Sequence, residues 1–565
     1  MAVVRQFDVL VVGSGVAGLY AATCCAQQGL SVAVLDKGLA GRSSASYSAK
    51  GMAVFGPWSV KEDSEEQHVD DTLKSGRYVN DPRLVEAMVK HAAGAILGLE
   101  SMGMLFDRNP DTGNLALHGK AAGHAWPRDI GFSDITGKLL VDTLLSQARM
   151  LGVSILSDHL AIDVALGADG VKGCFVLDMD AGEVVAIEAS VVVMATGGIG
   201  DLYPLTSNAV QNTGDGIAIA MRAGATVKDM EFVQFYPATV VYPPVLRGVN
   251  TNSIGLGAQL LNSAKERFMS RLEPEKLEQV TRDRLSQCIY LEIMEGRGTE
   301  NGGVYLDATS ISREKYKAHF PSEWRLAEHA GLDLGKDVVE VAPGAHYYMG
   351  GIEIGPDGST DVPGLLALGE CASGVHGANR LANNSLTDVL SFGKIGGDSA
   401  AAVARRRSRG SIGAREVNEA EERIRRRLGG SAVAGAAIAG RMKQQVRDVM
   451  GQYVGVVRDA CGLATGERLM SELRQAASGV TVSGGMRCNP ELLSALEVQN
   501  MTLVAAAIIK GASLRKESRG SQYRTDFPGE DAAWQRNIRI RYMRDSGEIM
   551  AEVGPELAGE GSEKT

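Results

Sequence analysis

The chain is short of paired cysteines, aromatic residues, positive charge and long apolar runs, and each shortage closes a class of function. Its seven cysteines (Cys24, Cys25, Cys174, Cys288, Cys371, Cys461 and Cys488) form no C-x-x-C pair. An odd count with no metal-ligand spacing reads as reduced, mostly buried thiols in a reducing compartment. The chain therefore carries no iron–sulfur or zinc site of its own. Aromatics make up only 5%, too few for a base-stacking platform. With 58 basic against 68 acidic residues the formal charge is −10, which repels nucleic acid and anionic lipid. No apolar run reaches the ~18–20 residues of a membrane span. The longest, Val191–Ala195 and Thr502–Ile509, read as core. Met1–Gln6 leads straight into a strand with no leader-like segment, so the expected location is the cytoplasm.

What is present is a large globular chain. At 565 residues it exceeds one core, so several domains are expected. Phe7–Val12 reads as a strand buried on both faces, followed by a helix to about Gln28 and a second strand, Ser31–Leu35, ending at Asp36. That is a β-α-β unit. Residues 83–107 have helical spacing. Short strands are expected at 153–156 and 161–166, and a hairpin over 170–189 turning at Ala181-Gly182. Val191–Met194 reads as a separate buried strand, and Gly364–Gly369 as a return to the first sheet. Residues 404–428 are rich in Arg and Glu, 441–477 and 490–515 read as amphipathic helices, Ile538–Tyr542 as a strand, and Gly559–Thr565 as a disordered tail.

Gly13-Ser14-Gly15-Val16-Ala17-Gly18 matches G-x-G-x-x-G. It follows a strand, opens a helix and precedes an acidic residue at the end of the next strand, the context of a dinucleotide site. Gly13 permits the tight turn, Gly15 lets backbone approach a pyrophosphate, and Gly18 lets helix and strand pack closely. Asp36 is placed to accept from a ribose, with Lys37 beside it. The motif alone does not separate NAD from FAD.

Further segments run in order along nearly the whole chain: SYSAKG (46–51), NTGDGIAIAMRAGA (212–225), EFVQFYP (231–237), NSAKERF (262–268), RD (282–283), HYYMGG (346–351), LLALGE (365–370), HGANRLANNSL (376–386) and ESRGSQYRTDFP (517–528). In these the chain resembles the succinate dehydrogenase/fumarate reductase flavoprotein family, which includes L-aspartate oxidase. The resemblance implies an α/β fold: a Rossmann-like FAD-binding domain in two parts (1–236 and 351–403), an inserted α+β capping domain (237–350), a helical domain (404–516) and a C-terminal tail (517–565). FAD is then expected against Gly13, Gly15, Gly18, Asp36 and Lys37, with Ser44, Gly51, Asp215, Glu370, Ser385 and Leu386 along its ribityl and ring portions. Many members join the flavin to a His at the position that Ala45 takes here; Arg42–Tyr47 contains no His, so non-covalent FAD is expected.

The same resemblance assigns His346 and Arg380 to one substrate carboxylate and Arg282 to proton donation. The other half departs from the pattern. Tyr236 stands where the family has a carboxylate-binding His, and the stretch NTNSIGLGAQ (250–259) lacks the usual Thr, Glu and Arg. Tyr236, Arg247, Asn250 and Thr251 are the polar residues left there. One missing charged hydrogen bond costs roughly 1.5–3 kcal/mol, ~10–100-fold in affinity. Fumarate, succinate or aspartate are therefore expected to be poor substrates beside an unsaturated monocarboxylate or a larger acid. Electrons are expected to come from a partner or a diffusible donor, or to go to oxygen; for an iron–sulfur partner, Arg405–Arg409 and Arg423–Arg427 form a candidate face. Such a partner would put the protein at a membrane surface without inserting it. The competing expectations are an L-aspartate-oxidase-like enzyme, an adenylylsulfate-reductase-like flavoprotein and a non-catalytic electron relay.

Overall fold

A computed structural model describes residues 3–244, 248–249, 252–429 and 435–557. Its first layer grows from the apolar strand β1 (Val3–Val12), whose Val9, Leu10 and Val11 are fully buried. Helix α1 (Val16–Gln27) leads from it to β2 (Val32–Leu35), and β3 (Ser154–Leu156) adds outside β2. All three strands run parallel, and β1 pairs in parallel on its other side with a later strand, so that Val11 lies between Val34 and Val193. Crossover helices cover such a sheet on both faces, which is why β1 has no polar alternation.

The hairpin at 170–189 is more than a hairpin. Strands β4 (His159–Gly167), β5 (Gly170–Asp178) and β6 (Glu183–Met194) form an antiparallel meander. The segment expected as a separate strand, Val191–Met194, is the end of β6. No Gly, Pro, Asn or Asp interrupts 184–194, so the chain stays extended and pairs with β1 from Val185 to Met194. The strand Leu365–Ala367 returns beside the end of β6, completing a seven-stranded sheet.

Between these parts lies a segment with its own hydrophobic core, including Val240, Leu260, Ile289, Leu306, Trp324 and Val341. Four antiparallel strands (Val233–Tyr242, Val339–Tyr348, Val304–Asp307 and Gln259–Leu261, in that spatial order) carry the helix Arg282–Glu292. Arg247, Asn250 and Thr251 lie outside the described residues.

The helical stretch expected over 441–477 is two helices, Gly435–Tyr453 and Ala460–Ser478. Asp459 causes the break: its Oδ1 accepts from Gly462 N at 2.8 Å and so starts a new helix. Pro490–Leu514 is the one helix among the described residues long and apolar enough to cross a membrane, but 78% of its apolar window is buried inside the protein. The late strand spans Arg536–Met543; it pairs with Glu548–Glu556 and with Val227–Lys228, which ties the chain's end to the first part of the fold. Gly559–Thr565 lies outside the described residues. Five cysteines are buried, while Cys461 and Cys488 are exposed.

Candidate active site

A cavity of about 1030 Å³ opens at the carboxyl ends of β1, β2 and β6, where open α/β sheets hold ligands. Fourteen of the fifteen site residues expected from sequence line it: Gly13, Gly15, Asp36, Lys37, Ser44, Gly51, Asp215, Tyr236, Arg282, His346, Glu370, Arg380, Ser385 and Leu386. Gly18 does not. It sits beneath the wall, where a Cβ would come 2.1 Å from Gly13 O, so its role is close helix–strand packing.

The cradle is built from backbone. Gly13 has φ +111°, and a Cβ there would fall 2.1 Å from Ala195 O. Gly15 caps α1 with no side-chain hydrogen bond, and Val16 N–H makes only a long hydrogen bond to Ser46 Oγ, at 3.5 Å. The positive end of the helix therefore faces the cavity as a place for an anion. Buried polar atoms of the lining, among them Ser44 Oγ, Asn212 Nδ2, Asp129 Oδ1 and Thr196 Oγ1, have no hydrogen-bond partner among the described residues. A long, polar, pyrophosphate-bearing group such as FAD fits this wall.

Asp36 accepts from Ser14 Oγ and, at 2.9 Å, from Gly38 N, which fixes its carboxylate at the cavity edge. Lys37 is spent within the protein: Nζ donates to Thr213 Oγ1, Asp215 Oδ2 and Glu497 Oε1 at 2.6, 2.7 and 2.7 Å. Burial would lower its pKa, but the carboxylates of Asp215 and Glu497 outweigh that and raise it. The same contact holds Asp215 below the usual carboxylate range against the opposing effect of burial. Lys37 therefore pins the helix that begins at Asp215 to the helix Pro490–Leu514. Glu370 accepts from Tyr348 N at 3.1 Å, and burial pushes its carboxyl up to about 7.

Four side chains gather at the other end. The Tyr236 ring stands 4.9 Å from the His346 ring, and the Arg282 guanidinium lies 5.5 Å over its face. Arg380 is 4% exposed. It donates to Gln234 Oε1 at 2.8 Å and Leu381 O at 3.1 Å, rests 4.9 Å over Tyr347, and keeps a buried Nε without an acceptor. Burial and the nearby Arg282 draw its pKa down to about 10. Burial, Arg380 and Arg282 together hold His346 well below its ordinary value, so the imidazole is neutral at pH 7. Its Nδ1 lies 2.7 Å from Ser207 Oγ. Tyr236 does not take over the role of a cationic His: its hydroxyl donates to Val249 O at 2.9 Å.

Sequence reasoning missed Ser207, Gln234 and Asp129. Gln234 had a signal, standing two positions before Tyr236 on one strand. Ser207 had none, because it lies in a polar loop whose path only the fold sets. Asp129 lines the cavity beside Gly51, and burial raises its carboxyl to about 6.

Comparison with known proteins agrees with this geometry. A family model described as FAD binding domain matches residues 8–386, and one described as fumarate reductase flavoprotein C-term matches 443–555. A fumarate reductase (CoM/CoB) subunit of Methanothermobacter marburgensis is 37% identical over 542 residues, 95% of this chain and 97% of its own length. The L-aspartate oxidase of Pseudomonas aeruginosa is 34% identical over 93% of this chain and 96% of its own. The structure of Mycobacterium smegmatis Sdh1 in complex with UQ1 superposes with a TM-score of 0.89 at 33% identity, over 99% of this chain and 95% of that one. The protein is an FAD-dependent oxidoreductase, and the chain belongs to the succinate dehydrogenase/fumarate reductase flavoprotein family.

Proposed function

We propose that the protein reduces the C=C bond of a small unsaturated carboxylate, with Arg282 as proton donor. The observation that carries this reading is the convergence of Arg282, Arg380 and neutral His346 on the far end of the cavity that holds the glycine cradle. FAD held by the glycine cradle would supply the hydride chemistry. Arg380, which has no carboxylate partner among the described residues and whose Nε has no acceptor, would hold the substrate carboxylate by its charge. His346, with Ser207 Oγ donating to Nδ1, presents Nε2–H to the same carboxylate. Arg282 opens the helix Arg282–Glu292. The helix N-terminus and the guanidinium charge both stabilise the negative charge that develops at the second carbon, and Arg282 delivers the proton there. Hydride and proton together saturate the bond.

Tyr236 limits the second carboxylate. Its hydroxyl is directed to Val249 O, and its ring forms an aromatic wall between Arg282 and His346. An unsaturated monocarboxylate fits better than fumarate. Ala45 and its neighbours offer no His for attachment, so FAD is held without a covalent bond. Electrons reach the flavin from a partner, an iron–sulfur protein being the family precedent. The protein then works in the cytoplasm or at a membrane surface through that partner. An aspartate-oxidising enzyme is the second reading, favoured by the 34% identity to the P. aeruginosa oxidase.

The test is anaerobic. Acid precipitation should release yellow FAD into the supernatant. The dithionite-reduced protein should be reoxidised rapidly by an unsaturated monocarboxylate and slowly by fumarate, and by neither in Arg282→Ala. Fast reoxidation by fumarate would remove the preference assigned to Tyr236, and reduction of the oxidised protein by L-aspartate would favour the second reading.

A further inference from the structure

A second cavity, of about 520 Å³, lies behind the first, between β4, the ends of the helices Ala414–Arg425 and Ala460–Ser478, and the helix Pro490–Leu514. Five guanidiniums line it (Arg222, Arg423, Arg426, Arg427 and Arg474), against one carboxylate, Asp163. In a chain of net charge −10 this concentration of positive charge is unusual.

The five are not equally occupied. Arg222 is fully used, by Asp163 Oδ1 at 2.6 Å, Asn500 Oδ1 at 2.7 Å and Ile162 O at 3.0 Å. Arg423 reaches Asp163 Oδ2 at 3.2 Å, and Arg426 reaches Glu422 at 3.4 Å on the exposed rim. Arg427 and Arg474 have no carboxylate within ion-pair distance among the described residues. Arg427 Nη1 caps the end of the helix Ala460–Ser478 through Ala477 O and Val480 O, at 3.3 and 3.2 Å. Among the described residues that leaves Nε and Nη2 without a protein acceptor, on a half-buried side chain whose pKa burial pulls down. Arg474 donates from Nη2 to Gly547 O at 2.9 Å and lies 5.2 Å over the Tyr542 ring, and among the described residues its other nitrogens have no hydrogen-bond acceptor. Helix capping accounts for one nitrogen of one of these residues. It does not account for a cavity around the rest.

We propose that this cavity binds a multivalent oxyanion, a metabolite carrying two or more phosphate or carboxylate groups. Planar guanidinium forks suit both groups. A single charge would leave most of the excess uncompensated, whereas two or more meet Arg426, Arg427 and Arg474 together. The site is wired to the flavin cavity. Arg222 donates to Asn500, and Asn500 Nδ2 donates to Asp215 Oδ1 at 2.7 Å, while Leu160 and Ala161 line both cavities. Arg222, in the wall of this cavity, thus sits two hydrogen bonds from Asp215 of the flavin wall.

The experiment is isothermal titration of the FAD-loaded full chain with pyrophosphate and, separately, with citrate, at low and moderate salt. One saturable site is expected, weakened by salt and weakened tenfold or more by Arg474→Gln and by Arg426→Gln. Arg427→Gln also removes a helix cap, so the first two variants carry the decision. Binding of pyrophosphate alone assigns a phosphate ligand, and of citrate alone a polycarboxylate. Absence of saturable heat at millimolar concentration for both overturns the proposal. So does binding that survives Arg474→Gln and Arg426→Gln but is lost in Arg380→Gln, which would place the anion in the reaction cavity.

Discussion

Replacing Arg380 with glutamine removes one of two cations from the reaction cavity and keeps a side chain able to hydrogen-bond. With its pKa lowered only to about 10, the native guanidinium is charged at pH 7. A substrate carboxylate therefore loses one charge-assisted hydrogen bond, about 1.5–3 kcal/mol, or ~10–100-fold in affinity. The carboxylate is present in ground state and transition state alike, so the loss falls on KM while kcat changes much less. A second effect follows from the same removal. Arg380 is the larger of the two charges that depress His346, so the His346 pKa rises in the variant but stays below its ordinary value, because burial persists. In the native protein, KM should also climb as pH passes about 10 and Arg380 loses its charge. The assays are anaerobic steady-state turnover for KM and kcat, and NMR of the His346 ring across the acidic and neutral range. A variant with unchanged KM and reduced kcat would refute the reasoning, since Arg380 would then act only in the transition state and the carboxylate would be held elsewhere.

Arg282→Ala should lower the rate of flavin reoxidation in stopped-flow by ~10²–10⁴-fold, the range for loss of a positioned acid, with FAD retained and KM little changed; an unaltered rate would rule it out as the donor. Lys37→Met leaves the buried carboxylates of Asp215 and Glu497 without that ammonium, and urea unfolding should show a loss of about 3–5 kcal/mol. For Asp129 the sign is set by a folded pKa of about 6 against 3.8 unfolded. Between those values the native state holds more protons, so stability falls as pH rises through that window, by about 3 kcal/mol in total. Asp129→Asn in FAD-stripped protein should therefore be more stable than the parent at pH 7.5 and equal to it at pH 4. An advantage at pH 4 as large as at pH 7.5 would contradict this.

The cradle is legible because its chemistry is local. A strand, a glycine turn and a helix N-terminus are adjacent in sequence, and Gly13, Gly15 and Asp36 fall where that order puts them. The reaction end is legible only through resemblance, because Tyr236, Arg282, His346 and Arg380 come from segments more than a hundred residues apart at their extremes. Periodicity gives no hint that they meet. Two departures from the sequence reading have local causes. The strand β6 reads as two elements because its hairpin arm and its parallel arm look different in sequence, though only Ser190 stands between them and the strand runs through it. The helices Gly435–Tyr453 and Ala460–Ser478 read as one because amphipathic spacing continues across a break that one capping aspartate enforces. Lys37 is expected against the cofactor, but its three partners are protein groups, and nothing in sequence relates Lys37 to Glu497.

The pairing of buried arginines separates structural cations from functional ones. Arg128 is wholly buried between Asp63 and Asp71, Arg515 is held by Glu231 and Glu517, and Arg524 by Asp526. Arg458 has no carboxylate partner among the described residues but donates from Nε and Nη1 to Gly455 O, Glu231 O and Gln522 Oε1, with Nη2 left without a partner. Arg380 and Arg282 break that habit: neither has a carboxylate within ion-pair distance among the described residues, and each lies close enough to depress the ionisation of His346. Two adjacent cations without counter-ions destabilise the protein by itself, so their presence in one cavity points to a charge that arrives from outside. A monocarboxylate neutralises Arg380 and leaves Arg282 as the remaining cation beside the carbon that must be protonated. A dicarboxylate would need a second anchor on the side where Tyr236 presents a ring and directs its hydroxyl to Val249 O. In the proposed reaction, substrate preference and the identity of the proton donor would both rest on one feature, the unequal use of two arginines that have no carboxylate partner among the described residues.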